Sequence, residues 1–278
     1  MLRFSKLQGA GNDFVLLDTL QQPLPMADRA ALARRLCDRK FGVGGDGLLL
    51  VEPSESADYR MRIFNADGSE ASMCGNGIRC LARYLWQQYA LQSDSLAIET
   101  KAGVRRVYRA ENDQITVEMG QPRILDRALT HLSTLEHLLG AKYDTLPLSV
   151  EGVAVVDTGA LHLVLLVQDL ERFPLKEVGP MLESHQPDFP EGVNVSVAQV
   201  ERSDFARARV WERGVGATLA CGTGACAIVV AGALQGLLER HATVQMPGGT
   251  LYVEWREDDR LWLTGEAVWV YEGTWLSP

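Results

Sequence analysis

Short runs of β-branched and apolar residues, separated by glycine, proline and polar clusters, recur along most of the chain. Such runs predict β-strands, because buried strands favour these residues and turn residues end them. Fewer segments repeat their apolar positions at the three-to-four-residue spacing of a helix. Strands are predicted at 14–18, 48–51, 59–64, 96–100, 114–119, 153–157, 163–167, 207–212, 250–255 and 261–264. Helices are predicted at 27–39, 77–90, 132–139, 178–184 and 224–238, so each half of the chain is predicted to be α/β.

The chain also resembles itself. Residues 60–77 align without a gap with residues 207–224, and both copies keep Arg-x-Arg, an aromatic residue and Cys-Gly-x-Gly. A weaker similarity aligns residues 11–17 with residues 160–166. Two copies of this size indicate a duplicated domain and not a solenoid, which is built from many short repeats.

The duplication predicts two domains. The N-terminal half is expected over residues 1–120 and the C-terminal half over residues 121–265. The segment 121–146, with scattered proline and glycine, is the expected crossing between the halves, and the tail 266–278 is expected to return to the first half. A chain of 278 residues is long enough for two domains of ordinary size.

Charge and apolar run length restrict the classes of partner. Lys and Arg number 27 against 36 Asp and Glu, and a net charge of −9 repels polyanions, so no nucleic-acid partner is expected. The longest apolar stretches, 161–167 and 226–234, are far shorter than the ~20 residues of a membrane span, so no membrane partner is expected. Glycine and polar residues precede the first apolar run, which is the wrong order for a secretory signal, so a cytoplasmic location is expected.

The five cysteines are too few, and odd in number, for a disulfide framework. No Cys-x-x-Cys or His/Cys cluster occurs in the sequence, so no structural zinc site is expected. Cys37, Cys80 and Cys226 occupy apolar helical positions and are predicted to be inert core residues. Cys74 and Cys221 differ, because each stands in a Cys-Gly-x-Gly motif where a helix is predicted to begin.

Cys-Gly-x-Gly at the start of a helix predicts two chemical properties. The first amides of a helix have no intrahelical acceptor, and glycines let a carboxylate or phosphate approach them. The same positive helix end lowers the pKa of a neighbouring cysteine from its free value of ~8.5. If the halves face each other about a pseudo-twofold axis, Cys74 and Cys221 meet across one cleft, as a two-base racemase requires. A single-thiol hydrolase would not explain why the unit occurs twice.

Several motifs together carry a specific resemblance. The segments GAGNDF (9–14), FNADGS (64–69), MCGNGIRC (73–80), ERG (212–214) and ACGTGAC (220–226) resemble the diaminopimelate epimerase family. The resemblance implies an epimerase, free of metal and pyridoxal phosphate, that interconverts LL- and meso-diaminopimelate in lysine and peptidoglycan-precursor synthesis. It also implies two pseudo-symmetric α/β domains. Each would be a curved, mostly antiparallel sheet around a central helix, with the active site in the interdomain cleft.

The resemblance implies roles for individual residues. Cys74 and Cys221 correspond to the catalytic acid/base pair, and His162 and Glu212 to the polar residues that tune these thiols. The backbone cradle for the carboxylate at the reacting centre corresponds to Gly75, Asn76, Gly222 and Thr223. Contacts to the distant amino-acid end of the substrate correspond to Asn12, Asn65, Asn194, Glu212 and Arg213.

The chain departs from the family pattern at the distal end of the pocket. Ala160 and Leu161 precede His162 where many members have Asn-Pro, Gly47 replaces a glutamine of some members, and Ala217 replaces a usual glutamate. Two alternatives therefore stay open: a cofactor-independent racemase of another amino acid, for example histidine, and a binding protein that keeps the cradle without catalysis. Both cysteines are present, which favours catalysis, because carboxylate capture needs no thiols.

The glycine-rich segment, the oligomeric state and four strand arginines give further expectations. The glycines of 42–47 match a dinucleotide fingerprint, but a strand and not a helix follows them, so a loop is predicted. The protein is expected to be a homodimer that binds a small amino-acid substrate. Four arginines alternate along strands and are expected to lie on solvated faces: Arg60, Arg62, Arg207 and Arg209.

Overall fold

The chain divides into two compact units. In this computed structural model the described residues are 1–125, 132–140, 143, 146, 148–184 and 188–276. The first unit comprises Met1–Glu118 with Thr264–Pro278, and the second comprises Met119–Leu263. Parts of the expected crossing at 121–146, and the last two residues of the expected returning tail, lie outside the described residues.

The first unit is built mainly of strands. In chain order its elements are β1 (Leu2–Gly9), β2 (Asn12–Asp18), α1 (Arg29–Cys37), β3 (Gly47–Glu52), β4 (Tyr59–Asn65), β5 (Glu70–Ala71), α2 (Gly75–Gln88), β6 (Ser95–Thr100), β7 (Gly103–Arg109) and β8 (Ile115–Gly120). The second unit continues with β9 (Arg123–Leu125), α3 (Leu132–Leu139), β10 (Val150–Asp157), β11 (Leu161–Val167), α4 (Leu175–Glu183), β12 (Asn194–Arg202), β13 (Phe205–Glu212), β14 (Gly216–Thr218), α5 (Gly222–Leu234), β15 (His241–Met246), β16 (Gly249–Trp255) and β17 (Leu261–Gly265). The chain then returns to the first unit as β18 (Val268–Trp275).

Strand pairing follows one scheme in both units. In the first unit β18, β1 and β2 pair antiparallel, β2–β3 is parallel, β3–β4 antiparallel, β4–β6 parallel and β6–β7 antiparallel. In the second unit β9, β10 and β11 pair antiparallel, β11–β12 is parallel, β12–β13 antiparallel, β13–β15 parallel and β15–β16 antiparallel. The predicted α/β duplication, with mostly antiparallel sheets, is therefore present in the topology.

The strand register corrects one part of the repeat. Phe14 pairs with Gly47, the first residue of β3, and His162 pairs with Asn194, the first residue of the equivalent β12. Phe14 and His162 are therefore equivalent, whereas the weaker sequence similarity sets Asp13 against His162. That alignment is wrong by one residue, because the apolar run of β11 matches the run of β2 almost equally well in either register.

Helices α2 and α5 occupy equivalent places and begin earlier than predicted. Each starts two residues before the predicted 77 and 224, because the cysteine of Cys-Gly-x-Gly is itself the N-cap. α5 is apolar around most of its circumference, and its residues from Gly224 to Gly232 are all buried, so it forms the centre of its unit. α2 buries eleven of its fourteen residues, among them the fully buried Arg79.

One expectation about the strand arginines is wrong. Arg209 is half-buried, and its Nη2 donates hydrogen bonds to the carbonyl oxygens of Leu170 and Phe173, so it ties a loop to β13. Arg62 is also partly buried and donates from Nε to Glu70 Oε1 at 2.7 Å. Arg60 is exposed as expected, and Arg207 is partly exposed and pairs with surface glutamates.

Candidate functional site

Cys74 caps α2 and faces polar side chains of the first unit. Its backbone is extended (φ −145°, ψ 119°), and its Sγ accepts a hydrogen bond from the Gly77 amide at 3.4 Å. The thiol also lies 3.8 Å from Oδ1 of Asn12, toward which it is a donor, and Asn76 Nδ2 donates to the same oxygen at 3.4 Å. The structure thus brings Cys74, Asn12 and Asn76 together at the start of the helix.

A charged network holds Asn12 from the other side. Asp46 Oδ2 accepts from Asn12 Nδ2 at 2.8 Å, and Asp46 Oδ1 accepts from Arg39 at 2.7 Å. Arg39 also binds Asp13, which in turn accepts from the nearly buried Lys6 at 2.5 Å. Burial raises the pKa of Asp13, but hydrogen bonds from Arg39 and Lys6 outweigh it and hold that pKa at about 2. Asn12 is therefore supported by ionised groups.

Arg79 organises the first turn of α2 from inside the unit. The side chain has no exposed surface, and its Nη1 donates to the Gly75 carbonyl at 3.1 Å while Nη2 donates to Asn76 Oδ1 at 2.8 Å. Its Nε donates to the carbonyl of Glu266 at 3.3 Å, next to the returning strand β18. Because Arg79 holds the oxygen of the Asn76 amide, the nitrogen of that amide is turned toward Asn12.

Asn65 lies at the end of β4, opposite Gly47 in the strand register. Its Nδ2 donates to Ser69 Oγ at 2.9 Å, and its side chain is exposed. A Cβ at Gly47 would stand 2.9 Å from the carbonyl oxygen of Phe64, a fixed backbone atom. Any side chain at position 47 would require β4 to move. The close approach of β4 therefore favours glycine at this position.

Cys221 caps α5 in the same way as Cys74 caps α2. Its backbone is extended (φ −135°, ψ 114°), and its Sγ accepts from the Gly224 amide at 3.4 Å. Its own amide donates to Met246 Sδ at 3.3 Å, and the Thr223 hydroxyl lies 3.3 Å from Sγ. Cys221 as a whole is only 6% exposed.

His162 contacts Thr223 and not the cysteine itself. Its Nε2 shares a 2.9 Å hydrogen bond with Thr223 Oγ1, and its Nδ1 shares one of 2.9 Å with Ser196 Oγ. The ring has no exposed surface, and this burial lowers the pKa of His162 to about 3, although the charge of Asp157 acts in the opposite direction. At neutral pH the imidazole is therefore uncharged.

Asn194 and Arg213 form a second polar group in this unit. Asn194 Nδ2 donates to the Leu161 carbonyl at 2.8 Å, and its Oδ1 accepts from the Arg213 amide at 2.9 Å. The exposed Arg213 guanidinium donates to the carbonyl of Glu191 at 2.6 Å. Glu212, one residue before Arg213, accepts from the Thr218 hydroxyl at 2.6 Å. Asn194 therefore links the ends of β11 and β13.

The remaining departures from the family motif are at accessible positions. Ala160 is partly exposed and follows Gly159, whose φ of +100° favours glycine. Leu161 is also partly exposed, and Ala217 is exposed on the short strand β14. Three small or apolar side chains thus stand at the positions where the resemblance implies, for many members, an amide, a proline and an acid.

The other cysteines lie in the core, as predicted. Cys37, Cys80 and Cys226 are at most 2% exposed. Burial raises the pKa of both the Cys37 and the Cys80 thiol to about 12. In the described ranges, no three His, Cys, Asp or Glu side chains are grouped so as to hold a metal ion. The described helices include none that is both long and apolar enough to cross a membrane.

Comparisons of the sequence with known proteins identify its family. The diaminopimelate epimerase profile matches residues 4–125 and 154–270. The chain belongs to the diaminopimelate epimerase family. A relative named diaminopimelate epimerase from Desulfitobacterium hafniense is 46% identical over 277 residues, which cover 98% of this chain and 97% of the relative. Another from Pelotomaculum thermopropionicum is 43% identical over 276 residues, covering 98% of each.

Solved structures share the family fold. A PhzF-family phenazine biosynthesis protein of Bacillus anthracis matches with a TM-score of 0.74 at 23% identity, over 98% of both chains. A hydroxyproline epimerase from Agrobacterium vitis, with bound trans-4-OH-L-proline, matches with a TM-score of 0.68 at 14% identity, over 98% of this chain and 91% of that chain. At these identities the likeness concerns the fold alone, and it confirms the predicted fold class.

Three side chains that contact the family's motif residues were missed by sequence reasoning. Arg79 stands inside the motif MCGNGIRC, but an arginine at an apolar helical position gave no sign of what it would bind. Asp46 precedes β3 and could have been noticed as an acid beside the glycine loop, which the structure confirms as a loop. Ser196 carried no signal, because a serine within a strand is usually unremarkable.

Proposed function

We propose that this chain is a diaminopimelate epimerase that interconverts the LL and meso isomers of 2,6-diaminopimelate without a cofactor. The observation that carries the proposal is the repeated cap: Cys74 and Cys221 each close the N-terminus of a buried helix and accept the amide of the glycine three residues on. The chain belongs to the diaminopimelate epimerase family, and two equivalent cysteine caps are the arrangement that a two-base epimerase of this family is expected to have.

The two caps supply the groups that the reaction needs. Removal of an α-proton places negative charge on the substrate carboxylate, and helix N-termini stabilise such charge. The backbone amides of Gly75, Asn76, Gly222 and Thr223 lie in the first turns of α2 and α5, where helix geometry leaves amides without an intrahelical acceptor. We assign these amides to the carboxylate at the reacting carbon.

The thiols then perform the proton transfers. One thiolate removes the α-proton from one face of the carbon, and the thiol of the other cysteine delivers a proton to the opposite face. In the reverse reaction the two cysteines exchange roles. Each half-reaction conserves protons, because one cysteine gains the proton that the carbon loses and the other loses the proton that the carbon gains. No oxidant, metal or carbonyl cofactor enters these steps.

The distal amino-acid end of the substrate is assigned to Asn12, Asn65, Asn194, Glu212 and Arg213. Arg213 offers the planar donor pattern that suits a second carboxylate. The second candidate, a racemase of another amino acid such as histidine, is favoured by Ala160, which presents carbon where many family members have an amide, and by Leu161 in place of a proline. Diaminopimelate is preferred, because relatives 43% and 46% identical over almost the whole chain bear that name.

One experiment separates these candidates. The purified protein is incubated in D₂O with LL-diaminopimelate and, separately, with a panel of L-amino acids including L-histidine, and α-deuteration is followed by mass spectrometry and NMR. We expect exchange and epimerisation with diaminopimelate only. Exchange with another amino acid and none with diaminopimelate would favour the racemase. Cys74→Ala and Cys221→Ala are each expected to abolish epimerisation, and near-normal turnover of either variant would exclude the two-thiol mechanism.

A matched pair of variants tests the distal assignment. Arg213→Leu should raise KM for diaminopimelate by about a hundredfold with a smaller effect on kcat, since a charged hydrogen bond far from the reacting carbon contributes mainly to binding. Arg202→Leu, at an exposed arginine of the same unit paired with Asp204, is the control. Equal KM values for the two variants would remove Arg213 from the binding site.

Two expectations from the sequence stay proposals. A cytoplasmic location is supported by the reaction itself, because both thiols must stay reduced to exchange protons and the cytoplasm maintains reduced thiols. A homodimer is to be tested by light scattering of the purified chain at several concentrations. A monomer at every concentration would reject it.

A further inference from the structure

Ser196 closes a chain of hydrogen bonds that ends at the sulfur of Cys221. The Ser196 hydroxyl is 2.9 Å from His162 Nδ1, His162 Nε2 is 2.9 Å from the Thr223 hydroxyl, and that hydroxyl is 3.3 Å from Cys221 Sγ. We name these four side chains the Cys221 relay. Ser196 and His162 have no exposed surface, so water does not compete for their hydrogen bonds.

The direction of the relay follows from counting its protons. An uncharged imidazole donates from one nitrogen and accepts at the other, whereas a hydroxyl does both. Among the described residues, His162 Nδ1 is the one polar atom in hydrogen-bond contact with the buried Ser196 hydroxyl. If Nδ1 carried the proton, both groups would point hydrogens at each other, or the serine hydrogen would be buried without an acceptor. Hydrogen-bond accounting therefore favours donation from Ser196 to Nδ1.

The remaining bonds then have one arrangement. With Nδ1 accepting, Nε2 carries the proton and donates to the oxygen of Thr223. The Thr223 hydroxyl hydrogen is consequently turned away from the ring and toward Cys221 Sγ. The relay thus directs a hydrogen-bond donor at the sulfur, in addition to the Gly224 amide, and such donors stabilise a thiolate.

We propose that Ser196 is a positioning residue that fixes the tautomer of His162 and, through it, turns the Thr223 hydroxyl toward the Cys221 sulfur. The proposal rests on the proposed function, in which Cys221 must be a thiolate whenever it removes the α-proton. Ser196 lies outside the motifs that carry the family resemblance. The Thr223 side chain would donate a hydrogen bond to Cys221, whereas the Thr223 backbone amide is assigned to the substrate carboxylate.

The described residues of the first unit form no such chain. Leu49 pairs with Ile63 as Ser196 pairs with Val210, and Phe14 is the equivalent of His162. Cys74 instead has the oxygen of Asn12 as a neighbour, which is an acceptor and suits the protonated thiol. The relay therefore makes two cysteines with the same backbone geometry chemically different.

The surroundings of the relay identify the charges that act on it. Asp157 of β10 acts on His162 and favours its protonated form, but burial outweighs this charge and keeps the ring neutral. The Glu212 carboxylate of β13 accepts from Thr218. Met246 of β15 contacts the Cys221 amide and carries no charge. Because replacing Ser196 removes none of these charged groups, a change in the titration of Cys221 reports on the hydrogen bonds of the relay.

The test measures the thiolate of Cys221 without substrate. A Cys74→Ser, Cys226→Ala background is titrated by the ultraviolet absorbance of the thiolate, and the remaining Cys37 and Cys80 have pKa values of about 12 and titrate separately. Ser196→Ala and Thr223→Val should each raise the titration midpoint by about one pH unit, the usual effect of losing one hydrogen bond to a charged group. Ser196→Thr and Thr223→Ser, which keep the hydroxyl, should titrate like the background. Ser5→Ala, at a buried serine of the first unit, is the control and should not move the midpoint.

The same variants are then assayed with Cys74 restored. The rising limb of the kcat/KM pH profile should move upward with Ser196→Ala by the shift seen in the titration. An unchanged midpoint in folded Ser196→Ala protein, or an equal rise in Ser196→Thr, overturns the proposal. Because the titration needs no substrate, it is independent of the proposed function, which fails instead if the unsubstituted protein does not exchange the α-proton of diaminopimelate.

Discussion

Asn12 donates a 2.8 Å hydrogen bond from Nδ2 to Oδ2 of Asp46, and this bond determines which end of the Asn12 amide meets Cys74. A carboxylate only accepts hydrogen bonds, so the nitrogen of Asn12 must face Asp46 and its oxygen must face the thiol. Asp46 is itself held by Arg39. An exposed acid outside the family's motif residues thus fixes the polarity of the contact with a proposed catalytic thiol.

Asp46→Ala should therefore lower kcat/KM for epimerisation by about tenfold, the cost of roughly one hydrogen bond that orients a reacting group. Its removal leaves the Asn12 amide oriented only by the longer 3.4 Å contact from Asn76 Nδ2, so the amide can rotate and present nitrogen to Cys74. The effect is measured by steady-state epimerisation in both directions. Asp204→Ala, at an exposed acid of the second unit, is the control. Activity equal to that of the control would show that Asp46 does not orient Asn12.

Arg79→Met should destabilise the protein by about 2–4 kcal/mol, because it leaves buried oxygens of the α2 first turn without donors. Those oxygens are the Gly75 carbonyl and the Asn76 amide oxygen. Urea unfolding gives the free energy. Arg109→Met, at an exposed arginine that donates to the Leu91 carbonyl, should cost about 1 kcal/mol or less. Equal losses in the two variants would contradict a special role for Arg79.

His162 makes stability depend on pH. Its pKa is about 3 in the folded chain and returns toward the usual 6.5 on unfolding, so the unfolded state binds more protons between these values. The free energy of unfolding should therefore fall as pH drops below about 6.5, with a slope of up to about 1.4 kcal/mol per pH unit. Asp13, with a pKa of about 2, and Glu70 and Glu99, whose pKa values are lowered by hydrogen bonds, contribute mainly below about pH 5, so the range from about 6.5 to 5 reports mainly on His162.

The slope is checked by urea unfolding across that range. His162→Gln should be less stable at neutral pH but should lose less stability on acidification than the unsubstituted protein. His241→Gln is the matched control, because His241 is 59% exposed on its side chain and lies at the surface beside Glu239. A slope in His162→Gln as steep as in His241→Gln would refute the prediction.

Gly77→Ala should disturb the Cys74 cap. The added Cβ would stand 3.1 Å from Leu49 Cδ2 and 3.3 Å from Ile63 Cδ1, and because both side chains are buried, we expect part of the required shift to fall on the first turn of α2 and on Cys74. We expect a loss of about 1–3 kcal/mol in the free energy of unfolding and a larger proportional loss in kcat than in substrate binding. Unfolding and initial-rate measurements on the same preparation test this. An unchanged kcat would mean that the cap tolerates the shift.

The sequence predicted much of the fold because apolar runs and a repeat were both visible. All ten predicted strands and five helices exist in the structure, with ends that differ by a few residues. The strands that were missed include β7 (Gly103–Arg109), in which three arginines interrupt the apolar positions, and β18 (Val268–Trp275), whose strand-forming residues are mostly exposed. Their pairing with distant strands stabilises them, and a local pattern does not contain that information.

The site was predictable where a motif carried it. Cys74 and Cys221 were recognisable because their surroundings repeat in register, and the structure gives both the same capping geometry. The Cys221 relay was not predictable, since Ser196 and Thr223 reach opposite sides of His162 only through the pairing of β11 with β12 and the approach of α5. Contacts between residues far apart in sequence depend on register, which the apolar runs of β2 and β11 leave ambiguous by one residue.

The discontinuity of the first unit has a consequence for synthesis on the ribosome. β18 pairs along most of β1, yet it is translated only after the whole second unit. The second unit is continuous and can complete its sheet first, while β1 waits with one edge unpaired. The half of the protein that is made first is therefore finished last, and a molecular chaperone that shields exposed strand edges would act on β1 during that interval.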